Sequence, residues 1–222
     1  VLSSVSVFGA VYSQIQNFSG IPNLSVPLTF SQFDDHSGSW ILQDVQITLT
    51  LNSDGGRLIL DNDSFKNASG GFSFGVKGNL YSTDVVLLNN SYAVVPGDVE
   101  AVHLQTFNLE PDNGDGLYNI EGSGPDGLVY NGHYETNSKT GTIANTLWTA
   151  GAKGFVGTET YNIFCNVIQW LNYSSTGGIE YAVTPVITSG NVRVDYVYSV
   201  IPEPATIIIL ALGAFSSLHK VK

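Results

Sequence analysis

Apolar and polar residues alternate with a period of two along much of this chain, and no other feature constrains its fold as strongly. Between residues 45 and 51, four apolar side chains alternate with glutamine and threonine, and residues 192–198 repeat the pattern. Successive side chains of a strand point to opposite faces of a sheet, so this spacing gives each segment one apolar face. The sequence therefore predicts strands with one buried face.

The same pattern, or a short β-rich apolar run, recurs along the whole chain. Strands are predicted at residues 5–15, 24–30, 40–51, 57–61, 72–80, 85–88, 99–107, 128–134, 160–171, 179–183 and 192–198. Segments rich in Gly, Asn and Asp separate them, such as residues 52–56, 111–116 and 174–178, and they supply the positive φ angles of tight turns. This succession is typical of an all-β, antiparallel β-sandwich or jelly roll.

A single folded body is predicted for residues 1–200, because no fixed-period repeat and no low-complexity linker divides them. We expect this body to contain two packed sheets. The side chains predicted to face inward are Val45, Ile47, Leu49, Val192, Val194 and Tyr196.

The charge of the chain excludes one class of partner. Nineteen acidic and eight basic residues give a formal net charge of -11, which repels phosphate backbones and argues against nucleic-acid binding. The single cysteine, Cys165, cannot form an intramolecular disulfide. The chain begins at Val1 and lacks methionine, from which we expect a processed product or a fragment. Residues 3–10 allow two interpretations, a strand or the end of an apolar signal region.

The last 22 residues, 201–222, depart from the strand pattern. Pro202 and Pro204 cannot donate to a strand ladder, and Pro204 suits the first turn of a helix. Residues 205–218 carry no charge and would rise about 21 Å as a helix, short of the roughly 30 Å of a hydrocarbon core. Lys220 and Lys222 follow, as a cytoplasmic flank requires. We expect a single C-terminal hydrophobic helix, either membrane-associated or buried as an ordinary helix. Its large apolar residues are Ile207, Ile208, Ile209, Leu210, Leu212, Phe215 and Leu218.

Pro202, Glu203 and Pro204, followed by an apolar segment and a basic end, resemble the PEP-CTERM sorting signal of exported bacterial proteins. The resemblance implies export and processing by a membrane exosortase. The sorting motif would be Pro202, Glu203 and Pro204, and the tail would contact the membrane or the sorting enzyme.

A second resemblance covers the body. Residues 23–30, then Phe33 and Asp34 with Gly38 five residues after the phenylalanine, and then the alternating strand from Val45, are similar to the choice-of-anchor family, type E in particular. This resemblance implies a non-enzymatic structural protein of the cell surface, extracellular matrix or biofilm, and names no catalytic residue. From the apolar tail, which needs burial, and from the open edge strands, we expect further copies of the chain as partners, as in a filament; an extracellular polysaccharide matrix is the alternative partner.

The motifs that could carry chemistry are weak. Residues 122–127 match a dinucleotide-binding glycine pattern, but a strand-like segment follows where a helix is required, so a hairpin turn is predicted. The four histidines, at positions 36, 103, 133 and 219, lack the spacing of a zinc motif. The sequence predicts no catalytic residue, and we expect that the protein is not an enzyme.

Calcium is the one cofactor with support in the sequence, because hard cations bind clusters of oxygen ligands. Asp112, Asn113 and Asp115 form one acidic loop, and residues 61–63 form another. Each is either a calcium site or an ordinary Asx turn. The three tryptophans, at positions 40, 148 and 170, either form a sugar-stacking platform or pack in the core. A calcium-dependent glycan-binding module is therefore the alternative to the structural protein.

Overall fold

The computed structural model describes residues 9–114, 120 and 122–201, and in these residues the chain is all-β. The strands are β1 (Gly9–Gly20), β2 (Leu24–Ser31), β3 (Trp40–Asp54), β4 (Arg57–Asn62), β5 (Ala68–Tyr81), β6 (Val99–Leu109), β7 (Gly127–Asn131), β8 (Glu135–Thr142), β9 (Thr160–Ser175), β10 (Ile179–Thr184) and β11 (Ile187–Val200). One turn of 3-10 helix, Asn145–Leu147, lies between β8 and β9.

The strands form three sheets rather than the two that were predicted. Two four-stranded sheets have the orders β1-β11-β3-β8 and β2-β9-β5-β6, and we call them sheets A and B. A smaller sheet has the order β10-β4-β7. Every pair of these strands is antiparallel, as predicted. The third sheet was missed because periodicity shows which face of a strand is buried and not which strand lies beside it.

Sheets A and B pack face to face around one apolar core, which gives a β-sandwich-like body. The prediction of inward-facing residues is confirmed: Val45, Ile47, Leu49, Val192, Val194 and Tyr196 are all 0% exposed. Sheet B contributes Val76, Ile163 and Val167 to the same core. The sheets come so close that a Cβ added at Gly78 of β5 would lie 2.9 Å from Leu51 of β3.

Side chains close the two open sides of the sandwich. On one side, the Gln14 amide of β1 donates to Ser31 O at 2.8 Å and accepts from Ser31 N at 2.8 Å, as a neighbouring strand would do. Gln16 donates to Thr29 O at 3.0 Å. These bonds occupy backbone groups of β2 that an edge strand normally exposes to other chains.

The other side is closed in the same way by strand β8. The Asn137 amide donates to Glu100 O of β6 at 2.8 Å, and the Lys139 ammonium donates to Asp98 O just before β6. Sheet A thus reaches sheet B through polar side chains at both of its edges.

One predicted strand is absent from the structure, and one observed strand was not predicted. Residues 85–88 form no strand, although Val85 and Leu87 are buried, because this loop inserts apolar side chains into the core and makes only the bridge from Leu88 to Val94. Strand β8 was not predicted, because it lies at an exposed edge of sheet A. Its side chains are almost all exposed, so its sequence lacks the alternation of apolar and polar residues.

Among the residues that the structure describes, none of the helical segments reaches the length and apolar character that crossing a bilayer demands. The predicted hydrophobic helix, residues 205–218, and the Pro202, Glu203 and Pro204 motif lie outside the described residues.

Candidate functional site

A pocket of about 390 Å³ opens at the end of the sandwich where β2 ends and where β3 and β9 begin. Its wall comes from Tyr12 of β1, Trp40 of β3 and Tyr198 of β11. Loop residues between β2 and β3, and those just before β9, form its rim. The complete lining is Tyr12, Ser31, Gln32, Phe33, Asp34, His36, Trp40, Gly157, Thr158, Glu159 and Tyr198.

Aromatic rings dominate this pocket because strand register brings them together. Tyr12 pairs with Tyr196 across β1 and β11, and Trp40 pairs with Val200 across β3 and β11. A bulge between Val197 and Tyr198 shifts the register next to the pocket, a feature that often re-aims side chains. The Tyr198 ring stacks on Trp40 with centroids 4.5 Å apart.

Phe33 connects the pocket to the core. Its side chain is only 1% exposed, and its ring lies 5.4 Å from Tyr198 and 6.3 Å from Trp40, measured between centroids. Tyr12, in contrast, is 44% exposed. The pocket therefore has a buried aromatic residue at its base and a solvent-accessible one in its wall.

The loop that carries His36 has an uncommon backbone. His36 and Ser37 have φ angles of 50° and 56°, in the left-handed region that costs non-glycine residues of order 1–3 kcal/mol. Asp34 holds the loop, since its Oδ1 accepts from His36 N at 2.8 Å and its Oδ2 lies 3.2 Å from His36 Nδ1. The backbone hydrogen bond from His36, and then its side-chain bond, lower the pKa of Asp34. The His36 ring contacts Trp40 with centroids 3.9 Å apart.

Gln32 fixes the two rim loops to each other. Its Oε1 accepts from Glu159 N at 2.8 Å, and its Nε2 donates to Lys153 O at 3.0 Å and to Gly154 O at 3.1 Å. Gly157 lies against this amide with a φ of 149°, and a Cβ there would collide with Gln32 Oε1. Both loops are thus held in one arrangement.

Two tyrosines form a buried hydrogen-bond chain beside the pocket. Tyr161 Oη donates to Tyr196 Oη at 2.7 Å, because the Tyr196 proton is already donated to Ser31 O at 3.0 Å. Burial raises the pKa of Tyr161 and of Tyr196 well above that of an exposed phenol. Both hydroxyls therefore remain neutral hydrogen-bond donors.

The acidic loop predicted as a calcium site or an Asx turn contains an Asx turn. Asp112 Oδ1 accepts from Gly114 N at 2.8 Å, the two-residue spacing of that turn. Asn113 donates twice to Asp126, from its backbone N at 2.7 Å and from its side chain at 3.1 Å. Asp115 lies outside the described residues. Asp126, which is 1% exposed, was not predicted for this loop.

The fold brings the second acidic segment to the same corner. Asn62 N donates to Asp126 O at 3.1 Å, Asp112 N to Ser64 O at 2.9 Å, and Asp63 N to Gly178 O at 3.0 Å. Across residues 9–114, 120 and 122–201, no group of three or more His, Cys, Asp or Glu side chains is arranged to hold a metal ion.

This acidic corner and the aromatic pocket lie at opposite ends of β9. Glu159 of the pocket directly precedes β9, whereas Ser175 ends it beside the loop that contacts Asp63. Sixteen residues of extended chain span roughly 50 Å. A calcium ion lies within about 2.6 Å of each oxygen ligand, so one ion cannot connect the corner to a sugar in the pocket.

Two histidines meet where the sequence indicated no cluster. His103 of β6 stacks on Tyr130 of β7 with centroids 4.7 Å apart, and His133 lies edge-on to the same ring at 5.7 Å. His103 Nδ1 is 3.0 Å from Glu135 Oε1 of β8. No sequence signal could have identified this group, because the three strands belong to three different sheets.

The remaining motifs have structural positions. Trp40 and Trp148 pack partly against the core, while Trp170 lies under Lys77 Nζ, 4.9 Å from its ring centroid. The glycine-rich residues 122–127 lead into β7, so the predicted strand is confirmed. β7 pairs with β4 and not with β6, and because residues 115–119 and 121 before the turn lie outside the described residues, the hairpin stays a prediction.

No protein-family model matches this chain, and no curated protein sequence matches it. Among solved structures, it is similar to that of the infectious bursal disease virus Gx strain at 11% identity and a TM-score of 0.21, covering 90% of this chain and 42% of the viral one. It is similar to Desmodium yellow mottle tymovirus at 8% identity and a TM-score of 0.17, covering 92% and 96%. The chain thus spans less than half of the bursal disease virus chain.

Proposed function

We propose that this chain is a non-enzymatic structural protein of the bacterial cell surface or extracellular matrix. It is exported and sorted through the PEP-CTERM-like tail at residues 201–222 and self-associates or binds matrix polysaccharide. The observation that supports this proposal is the position of the last described strand, directly before the sorting motif.

Strand β11 is the last strand among the described residues, and it ends immediately before the sorting motif. It is an inner strand of sheet A, pairing with β1 on one side and with β3 on the other, and it ends at Val200. The next residue, Ile201, donates its backbone N–H to Ser39 O at 2.9 Å. Cleavage or membrane insertion after Ile201 therefore leaves in place every strand that the structure describes.

Processing of the exported chain tests the sorting half of the proposal. The chain is fused behind a bacterial secretion signal, produced in a host that carries an exosortase, and compared with the triple variant Pro202→Ala/Glu203→Ala/Pro204→Ala. Mass spectrometry of the surface fraction is expected to find the parent chain shortened within residues 202–222 and the variant uncut. A control variant, Pro111→Ala, changes a proline of the body and should be processed normally. Identical processing of parent and triple variant would overturn the proposal.

The tail also supplies a means of assembly. Burying its seven large apolar residues at about 1.5–3 kcal/mol each is worth on the order of 10–20 kcal/mol, which a bilayer or the tails of neighbouring subunits would supply. Assembly through the edge of β2 is less accessible, because Gln14 and Gln16 already bond to its backbone groups. We propose a bundle of tails with the sandwich bodies outside, as in a filament.

Deletion of the residues after Ile201 tests the assembly half. Sedimentation and electron microscopy in the absence of detergent should show filaments or oligomers for the full chain and monomers for the shortened chain. A far-UV circular dichroism spectrum dominated by β-structure in both would show that the body is intact. Assembly that persists after the deletion would contradict the tail-bundle proposal.

A calcium-dependent glycan-binding module is the second candidate function; the aromatic pocket favours its sugar site, whereas the acidic corner offers no group of three metal-ligating His, Cys, Asp or Glu side chains among the described residues. Their separation along β9 divides this candidate into two independent tests, one for sugar and one for calcium.

A further inference from the structure

We infer that the aromatic pocket lined by Tyr12, Trp40 and Tyr198 binds one pyranose ring of a sugar without acidic groups, and that it does so without calcium. This inference concerns a site apart from the C-terminal tail, so it does not depend on the sorting proposal.

The pocket has the size and the aromatic surface that a sugar ring needs. Its volume of about 390 Å³ falls within the roughly 300–1,000 Å³ typical of small-molecule sites. The C–H face of a pyranose is apolar and packs against flat aromatic rings. Tyr12 offers such a ring in accessible form, since it is 44% exposed, and the stacked Trp40 and Tyr198 rings extend the wall.

The same pocket carries polar groups that suit hydroxyls. A sugar hydroxyl donates and accepts at once, so it needs both kinds of partner. Glu159 and Thr158 lie on the rim, and among the described residues the Glu159 carboxylate and the Thr158 hydroxyl have no hydrogen-bond partner. The Tyr12 and Tyr198 hydroxyls are likewise unpaired within the described ranges. Several unpaired donors and acceptors thus surround one apolar wall.

Charge selects the class of sugar. Asp34 and Glu159 both line the pocket, and its described lining contains no lysine or arginine. The chain as a whole carries a net charge of -11. A uronic acid or sulfated sugar would bring a further anion beside two carboxylates, whereas neutral and amino sugars would not.

The rim is built before any ligand arrives. Gln32 connects the loop after β2 to the loop before β9 through three hydrogen bonds. His36 is held on Trp40 by a left-handed backbone that Asp34 stabilises. Strain of this kind concentrates at functional sites, and a pre-ordered pocket loses little entropy on binding.

Isothermal titration of the full chain in excess chelator tests the inference. The probes are cellotriose, tri-N-acetylchitotriose, triglucosamine and trigalacturonic acid. We expect a neutral or amino trisaccharide to bind with a Kd below about 10 mM and trigalacturonic acid not to bind. Tyr12→Ala should weaken binding about tenfold or more through lost stacking area, and Glu159→Gln roughly three- to tenfold through a lost charged acceptor.

Tyr181→Ala is the matched control. Tyr181 is a similarly exposed tyrosine, at 46%, on β10 of the small sheet, and its removal should leave the Kd within about twofold. Trp40→Phe keeps an aromatic ring and removes the indole N–H, and it should retain measurable binding. It is a second pocket variant that disturbs the fold less than an alanine substitution does. The inference is overturned if no probe binds up to about 10 mM, if only trigalacturonic acid binds, or if Tyr12→Ala binds as tightly as the parent in a chain with an unchanged β spectrum.

Discussion

The buried pair of Tyr161 and Tyr196 predicts unequal effects from one chemical change. Both side chains are 0% exposed, and replacement by phenylalanine removes only a hydroxyl from each. Tyr161 donates to Tyr196, which in turn donates to Ser31 O. The two positions therefore occupy the end and the middle of one hydrogen-bond chain.

The hydrogen bonds give the size of each effect. Tyr161→Phe removes one neutral hydrogen bond and leaves Tyr196 bonded to Ser31, so it should lower the free energy of unfolding by about 1 kcal/mol. Tyr196→Phe removes two bonds and leaves the Tyr161 hydroxyl buried without a partner, for a loss of about 2–4 kcal/mol. Ser31 O still accepts from Gln14 at 2.8 Å, so the backbone adds little to the loss.

Urea unfolding of the full chain, followed by tryptophan fluorescence and far-UV circular dichroism, measures both losses. The double variant Tyr161→Phe/Tyr196→Phe should be more stable than Tyr196→Phe alone, because it leaves no hydroxyl stranded. The reasoning fails if Tyr161→Phe is as destabilising as Tyr196→Phe, or if the double variant shows the sum of the single losses.

Three further predictions concern the core and the loops. Val194→Asp places an unpaired carboxylate in the core and should cost several kcal/mol, and a parent-like unfolding midpoint would contradict this. Burial raises the pKa of the Cys165 thiol from 9.0 to about 12, so the folded chain should resist thiol reagents at pH 8. Because the thiol of the unfolded chain ionises at a lower pH than that of the folded chain, the free energy of unfolding should fall as the pH rises from 9 towards 12. In Cys165→Val this fall should be less steep. The same dependence on pH in the parent and the variant would refute the raised pKa of Cys165. Because Asp112 and Asp126 already accept hydrogen bonds from their own loop, the Tm in millimolar calcium should match the Tm in chelator, and a clear rise would establish a calcium site there.

Side-chain alternation in the sequence was sufficient to predict most strands and the buried face of the central ones. The alternate side chains from Val45 to Leu51 and from Val192 to Tyr196 all point into the core. This information is local, because a strand buried on one face must place an apolar residue at every second position. The same rule fails for β8, where Thr136, Ser138 and Thr140 serve an exposed edge. It also misassigned residues 85–88, where buried side chains come from a loop.

The acidic corner was predicted only in parts. The sequence identified Asp112 and Asn113 and, separately, residues 61–63. It contained no sign that Asp126 joins them, because this contact depends on the loop before β7 crossing to the end of β6. Loop sequences encode turns through neighbouring residues, whereas contacts between loops depend on which strand ends the fold brings together.

The aromatic pocket was decided by tertiary structure alone. Tyr12 and Tyr198 lie near opposite ends of the chain, and Trp40 was considered only together with two other tryptophans. They meet because β11 lies between β1 and β3, and because a bulge beside Tyr198 shifts the register there. Period-two alternation determines which side of a strand is apolar. It does not distinguish between the strands that could lie beside it. The choice of neighbour comes from packing the whole core, and that choice places the three rings in one pocket.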